Sequence, residues 1–180
     1  IMLYLKNVLC LDYKTLELSK TDLAVEPGPK GNIKSLKSIP PLAERKPGDQ
    51  VIDCGGKLVT RSFGCGHHHI YSALSRGMPP APKVPTNFVE VLEQVWWRLD
   101  KCLDNDMTEA SALIAAMGCA KRGVTFIIDH HAAPFAIKDS LETIARAFER
   151  VGVGHLLCYE ISDRDGMKIA EDGLAEHDAY

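Results

Sequence analysis

Residues 124–159 read VTFIIDHHAAPFAIKDSLETIARAFERVGVGHLLCY. The stretch opens on Val124-Thr125-Phe126-Ile127-Ile128, a continuous run bounded by charge, which predicts a strand buried on both faces. From Ser140 to Val151 the period changes. Leu141, Ile144, Ala145 and Phe148 fall on one helical face, and Gly152 and Gly154 close the segment. His155-Leu156-Leu157-Cys158-Tyr159 is a second apolar run, starting 31 residues after the first. That is an ordinary βαβ repeat. Strand, helix and strand in this order predict parallel strands joined by crossover helices, an α/β fold.

The same alternation extends in both directions. Upstream, a helix is expected from Thr108 to about Lys121, with Glu109 in its first turn and Gly123 just past its end. Before it, Gly77-Met78-Pro79-Pro80-Ala81-Pro82 and Pro85 mark a loop, and Thr86 or Asn87 can cap a helix. On that helix Phe88, Leu92, Val95, Trp96, Leu99 and Leu103 share one face, which assigns Trp96 to packing. Downstream, a last helix starts near Met167 and runs toward His177. Residues 1–58 read differently, as a small β-rich unit. Met2–Leu11, Thr21–Glu26 and Lys57–Thr60 are strand candidates. Pro27-Gly28-Pro29, Gly31-Asn32, Pro40-Pro41 and Pro47-Gly48-Asp49 break the chain between them.

Composition removes several functions. The chain has 180 residues, 21 basic and 24 acidic, for a formal charge of −3. That leaves no basic footprint for nucleic acid and no polybasic patch for a membrane. No apolar run reaches the ~20 residues that span a bilayer, and Ile1-Met2-Leu3-Tyr4-Leu5-Lys6 lacks the pattern of a signal peptide. Cys10, Cys54, Cys65, Cys102, Cys119 and Cys158 are irregularly spaced without a C-x-x-C, so reduced thiols and a cytoplasmic location are expected.

The chemistry concentrates in residues 63–69, Phe-Gly-Cys-Gly-His-His-His. A strand alternates faces at each residue, so His67 and His69 would share one side and His68 would take the other. Two imidazoles on one strand face can grip one metal ion. A solvated histidine tract is the alternative on spacing alone. Gly64 and Gly66 allow backbone and ligands to approach closely. Asp129, His130 and His131 follow the strand at Val124, and Glu160 ends the one at His155. His130, His131 and Glu160 are therefore candidates for substrate contact or for orienting metal ligands. Asp163 and Asp165 read as a solvated acidic loop.

Here the sequence resembles the amidohydrolase superfamily, in its metal-dependent deaminase and chlorohydrolase branch. The resemblance rests on Asp53, Gly56 and Val59 ahead of a strand ending in His67-x-His69. Within the branch it is most similar to the SsnA-type aminohydrolases, through His69–Gly77, Trp96–Asp100, Asp129–Pro134 and Tyr159–Gly166. Two positions depart from the pattern. Arg61-Ser62 stands where the family has Pro-Gly, and Cys65 stands where it often has Asn or Ser.

The resemblance implies the N-terminal part of a (β/α)8 TIM-type barrel over residues 59–180, preceded by part of a small β-sandwich over residues 1–58. A full barrel takes about 250 residues, so three strands of eight are expected here. It also implies one divalent metal ion, zinc or iron, held by His67 and His69 together with ligands from later strands. The implied reaction is hydrolysis of a non-peptide C–N bond, the deamination of a nitrogen heterocycle by a metal-bound hydroxide. The expected partner is a small-molecule substrate, with no nucleic acid and no membrane, and homo-oligomerisation is left open. A cyclic amide hydrolase at a two-metal site and a non-catalytic metal-binding scaffold are the alternatives. Alone, residues 1–180 are expected to fold poorly and to turn nothing over, because sheet edges stay uncovered and only two ligands are present.

Overall fold

The computed structural model describes residues 1–28 and 31–180. Pro29, in the first of the turn signals, lies outside the described residues. The chain divides into two compact units, Ile1–Arg61 and Ser62–Tyr180. No helix among the described residues is long and apolar enough to cross a membrane.

The first unit is one mixed sheet in the order β3-β2-β1-β4, with β5 also pairing β1. Strands β1 (Leu3–Leu11) and β2 (Leu18–Val25) form an antiparallel pair. β3 (Ile33–Leu36), β4 (Gln50–Asp53) and the two-residue β5 (Leu58–Val59) complete it. Within the described residues the unit is this one sheet. β3 and β4 were not legible as strands, because they are four residues long and almost wholly exposed. Tyr4, Val8, Leu23 and Ala24 are its buried apolar residues.

The Asp53-x-x-Gly56 pattern has a structural explanation within this unit. The register of β1 against β2 shifts between Leu5 and Val8, where Asn7 adopts φ 54°. The Asn7 amide group donates to both carboxylate oxygens of Asp53 at 3.0 Å, and Gly55 N–H donates to the same carboxylate at 2.9 Å. These bonds, the one from Asn7 foremost, hold the Asp53 carboxyl below its ordinary value. Gly56, at φ 80°, donates its N–H to the Asn7 carbonyl at 2.7 Å. A side chain there would be strained, so the glycine is required by the turn.

The second unit is α/β. β6 (Phe63–His68), β7 (Val124–His131) and β8 (Gly154–Tyr159) form a parallel sheet in the order β6-β7-β8. Between β6 and β7 runs a broken helical stretch: α1 (Phe88–Val91), a π turn (Leu92–Trp96), α2 (Trp97–Leu99) and a 3-10 turn (Asp100–Cys102). α3 (Asn105–Lys121) follows it, α4 (Ser140–Val151) links β7 to β8, and α5 (Met167–Ala179) comes last.

The starts of α1 and α3 have a visible cause. The Asn87 side chain accepts from Glu90 N–H and caps α1. Phe88 itself is 70% exposed, so it does not belong to the buried face assigned to it. Asp104 accepts from Met107 N–H at 2.7 Å and starts α3 three residues before Thr108, which moves Glu109 out of the first turn. α4 ends as its pattern requires. Gly152 takes φ 83°, and the amides of Gly152 and Val153 both donate to the Phe148 carbonyl.

One face of the sheet packs against the helices. Ile70, Ala112, Ala116, Ile127, Leu141, Ile144, Phe148 and Leu157 form the core between them. Each large side chain contributes about 1.5–3 kcal/mol on burial. The other face is open: Phe126 is 43%, Ile128 38% and Leu156 56% exposed. The strands at Val124 and His155 are therefore buried on one face only among the described residues, which corrects the sequence expectation. Their continuous apolar character still matches a sheet meant to be covered twice.

α5 is tied to α4 by a carboxylate. Glu176, 8% exposed, accepts from Asp139 N–H at 2.8 Å and Leu141 N–H at 2.9 Å, with the Ser140 hydroxyl 3.5 Å away. Asp139, at φ 62°, makes no side-chain cap of its own. Glu176 thus supplies from α5 the acceptor that the first turn of α4 lacks. Removing it leaves those donors unpaired, at a cost of about 1–3 kcal/mol. In the full-length protein, Glu176→Ala is expected to speed hydrogen exchange at Leu141 N–H by about 5- to 150-fold. Glu176→Gln, which keeps one acceptor oxygen, is expected to retain most of the protection.

Candidate metal centre

The three histidines leave β6 through a bulge. Cys65 pairs with Ile127 and His68 with Asp129, so three steps of β6 match two of β7. Such a bulge re-aims side chains at a strand end. The Cys65 thiol donates to the His67 carbonyl at 3.3 Å inside it. A Cβ on Gly66 would meet nothing within 4 Å. No close approach of backbone requires a glycine there, in contrast to the expectation from the sequence.

His67 and His69 come together. Their Nε2 atoms are 3.0 Å apart and their rings meet edge to face at 4.7 Å. The Nδ1 of His69 lies 3.1 Å from the His130 carbonyl oxygen. A carbonyl only accepts, so Nδ1 carries the proton and Nε2 keeps its lone pair facing His67. Two nitrogens each about 2.1 Å from one ion would stand at about this separation. The pair therefore fits a divalent ion, with the His130 carbonyl orienting one ligand as metal-binding imidazoles are usually oriented. Among the described residues no group of three or more His, Cys, Asp or Glu is gathered to hold an ion.

His68 turns away from this pair. Its Nδ1 lies 3.4 Å from Asp129 Oδ1, and Asp129 is fully buried. Asp129 Oδ1 also accepts from Ile70 N–H at 2.7 Å, and the Ile70 carbonyl accepts from the Ser111 hydroxyl at 2.5 Å. Both backbone groups of Ile70, the residue after His69, are thus held by buried side chains from β7 and α3. Asp129 is a residue whose anchoring role sequence reasoning missed. Its only signal was its place at the end of an apolar run.

His130 and His131 take opposite faces of β7. The His130 ring stands 5.3 Å from that of His69, and burial above all holds it below the ordinary imidazole value. His131 is fully buried between Tyr71 at 6.1 Å and Tyr159 at 5.8 Å, and neither of its ring nitrogens has a partner among the described residues. It supports the ring of Tyr71, which in turn lies 5.8 Å from His69. Burial, helped by the nearby carboxylates of Asp100 and Glu160, pushes the Tyr71 phenol well up. Trp96 covers the same corner, 6.2 Å from His69 and 6.0 Å from Tyr71.

Glu160 is placed elsewhere. Its carboxylate accepts from Arg164 Nε at 2.8 Å. Arg164 also binds Asp100, which is 1% exposed, and Asp165, which pairs in turn with Lys101 at 2.6 Å. Asp165 is therefore part of an ion-pair cluster, which corrects its reading as a solvated loop residue; Asp163 is exposed as expected. Glu160 and Arg164 sit four residues apart, the one sequence signal of the cluster.

His131 gives a pH test. Burial holds its pKa down at about 3, against an ordinary 6.5. Above pH 6.5 the ring is neutral whether the chain is folded or not. As pH falls from 6.5 toward 3 the unfolded chain takes up a proton that the folded one refuses. Stability then falls by up to about 1.4 kcal/mol per pH unit from this group. His131→Phe in the full-length protein is expected to flatten the loss of urea resistance between pH 6.5 and 4. Unchanged midpoints across that range would contradict the burial argument.

No protein-family model matches the chain. A curated relative, 5-methylthioadenosine/S-adenosylhomocysteine deaminase of Thermococcus sibiricus, is 26% identical over 159 residues, 88% of this chain and 33% of the relative. The chain thus spans about a third of the curated relative's length. Among solved structures, a mutant of the atrazine chlorohydrolase TrzN from Arthrobacter aurescens TC1, complexed with zinc and atraton, superposes with a TM-score of 0.65 at 18% identity. That likeness covers 87% of this chain and 35% of that one. Guanine deaminase from C. acetobutylicum, with guanine bound in its active site, gives a TM-score of 0.68 at 15% identity, over 100% of this chain and 43% of that one. The chain is thus similar in sequence to a named deaminase over a third of that relative's length, and similar in fold to the corresponding parts of a chlorohydrolase and a guanine deaminase.

Proposed function

We propose that residues 1–180 are the N-terminal part of a metal-dependent aminohydrolase of the SsnA-like kind, with residues 62–180 forming the first three βα units of its barrel. The observation that carries this reading is the His67–His69 pair, with Nε2 atoms 3.0 Å apart and His69 Nδ1 anchored on the His130 carbonyl. The open apolar face with Phe126, Ile128 and Leu156 supports it, since further strands would turn that face inward. His67 and His69 would hold one divalent ion, zinc first, because the solved chlorohydrolase was complexed with zinc and paired imidazoles suit that ion.

Such an ion, when bound, supplies Lewis acidity and brings the ionisation of a coordinated water toward neutral pH. The chain's own residues do the rest of what this part can do. His69 is held in one tautomer by the His130 carbonyl, so no proton has to move before it can bind. Tyr71 and Trp96 wall the corner beside it. His131, sealed and neutral, is excluded as a proton carrier by its burial. The substrate class is a nitrogen heterocycle that loses an amino group. The deaminase names of the curated relative and of the guanine-bound neighbour support this class.

The test is an asymmetry among three adjacent residues in the full-length protein. His67→Ala and His69→Ala are each expected to abolish bound metal, measured by elemental analysis, and with it ammonia release. His68→Ala removes the neighbour of Asp129 and is expected to keep metal near the wild-type level, at a stability cost of about 0.5–3 kcal/mol. Equal metal loss in all three variants, or loss in His68→Ala alone, would contradict the reading.

A further inference from the structure

The ion-pair cluster at the end of β8 lies outside the histidine corner, and the proposed chemistry makes no use of it. Arg164 is its centre. The guanidinium reaches Asp100 Oδ2 at 2.5 Å, Glu160 Oε1 at 2.8 Å and Asp165 Oδ2 at 3.2 Å, and lies 5.3 Å from the Trp97 ring centroid. Two of these contacts, Asp100 and Trp97, belong to the broken helical stretch of residues 88–102. Lys101 of the same stretch binds Asp165. Burying such charges gains little stability, because desolvation offsets most of the attraction. What a planar fork with five donors does supply is a fixed position.

That position matters because of what the stretch carries on its other side. Trp96 and Trp97 are adjacent and diverge. Trp97 faces Arg164, whereas the Trp96 indole stands 6.2 Å from the His69 ring and 6.0 Å from Tyr71. Trp96 is also the last residue of the π turn, an irregularity that resets the helical register just ahead of the clamped residues. A π turn has weaker hydrogen bonding than a regular helix, so its register needs support from outside. The tie on Asp100, one turn beyond Trp96, provides it.

We propose that Arg164 is a positioning residue for the histidine corner: by gathering Asp100, Glu160 and Asp165 it clamps residues 88–102 so that the Trp96 ring stands against His69. The inference rests on the reading of His67 and His69 as a metal pair only for its functional meaning; the placement of Trp96 can be read without any ion. Lysine in place of Arg164 keeps the charge but reaches one carboxylate at a time, so it does not restore the clamp.

The experiment uses full-length protein labelled with 5-fluorotryptophan, with the Trp96 fluorine line assigned through Trp96→Phe. Spectra are taken for wild type, Arg164→Lys, Arg164→Met and Asp100→Asn, first without metal and then with Co(II). In the metal-free state all three variants are expected to shift or split the Trp96 line, because the ring currents of His69 and Tyr71 no longer act on a fixed indole. With Co(II) the wild-type line is expected to broaden beyond detection, and the variants are expected to lose that broadening while keeping wild-type cobalt content. A merely structural role lowers the melting temperature and leaves the Trp96 line in place; an unshifted line in folded Arg164→Lys and Asp100→Asn overturns the inference. If the variants shift the metal-free line but Co(II) broadens nothing in the wild type, the clamp stands and the metal reading fails.

Discussion

The placement of the histidines depends on how the chain after β6 is held, and that is settled at one residue. Ile70 is fully buried, and both of its backbone groups are bound by buried side chains: its N–H by Asp129, its carbonyl by Ser111. A buried backbone group left unpaired would cost about as much as a lost hydrogen bond. The chain end of β6 therefore has one low-energy path, between β7 and α3. His69 precedes Ile70 by a single peptide, so its direction follows from that path. Asp129 can hold this path because a carboxylate oxygen is a strong acceptor for a backbone N–H away from water.

The bulge makes the same point from the other side. Had β6 run on regularly from Cys65, His68 would not have met Asp129 in register. With one extra residue in the strand, His68 packs beside Asp129 under the sheet and His67 is left on the open face with His69. Alternation along an ideal strand gives the same two faces by a different route, because His69 lies past the last strand residue.

How much could be read before folding follows from which interactions are local. α4 was legible in full, since Leu141, Ile144, Ala145 and Phe148 recur at helical spacing and Gly152 sits where the chain needs a positive φ. The parallel strands were legible as apolar runs, and His67 and His69 as a pair. The missed anchoring contacts are long-range. Asp100 and Arg164 are 64 residues apart, Ile70 and Asp129 59, Ser111 and Ile70 41. Nothing in the neighbourhood of Asp100 marks it as a buried residue, because its partner comes from the far end of the unit. Phe88 fails in the converse way. It has the right spacing for the apolar face, but the π turn after it changes the register, so the face that Trp96 and Leu99 present to the core no longer includes it.

The two kinds of histidine at this site show how position on a sheet divides roles between identical side chains. His130 and His131 are neighbours, yet one strand step puts His130 near His69 on the open face and seals His131 between two tyrosines. On the sealed side the ring can only be neutral, since a charge there would have no partner and no water. It serves as a flat, rigid spacer that fixes Tyr71. On the open side the contribution of His130 to the His67–His69 pair comes through its backbone carbonyl, which its own side chain does not alter. The backbone of β7 thus sets the tautomer of His69, and a change of side chain at position 130 leaves that bond in place. The orientation of the pair is therefore a property of how β6 and β7 are joined.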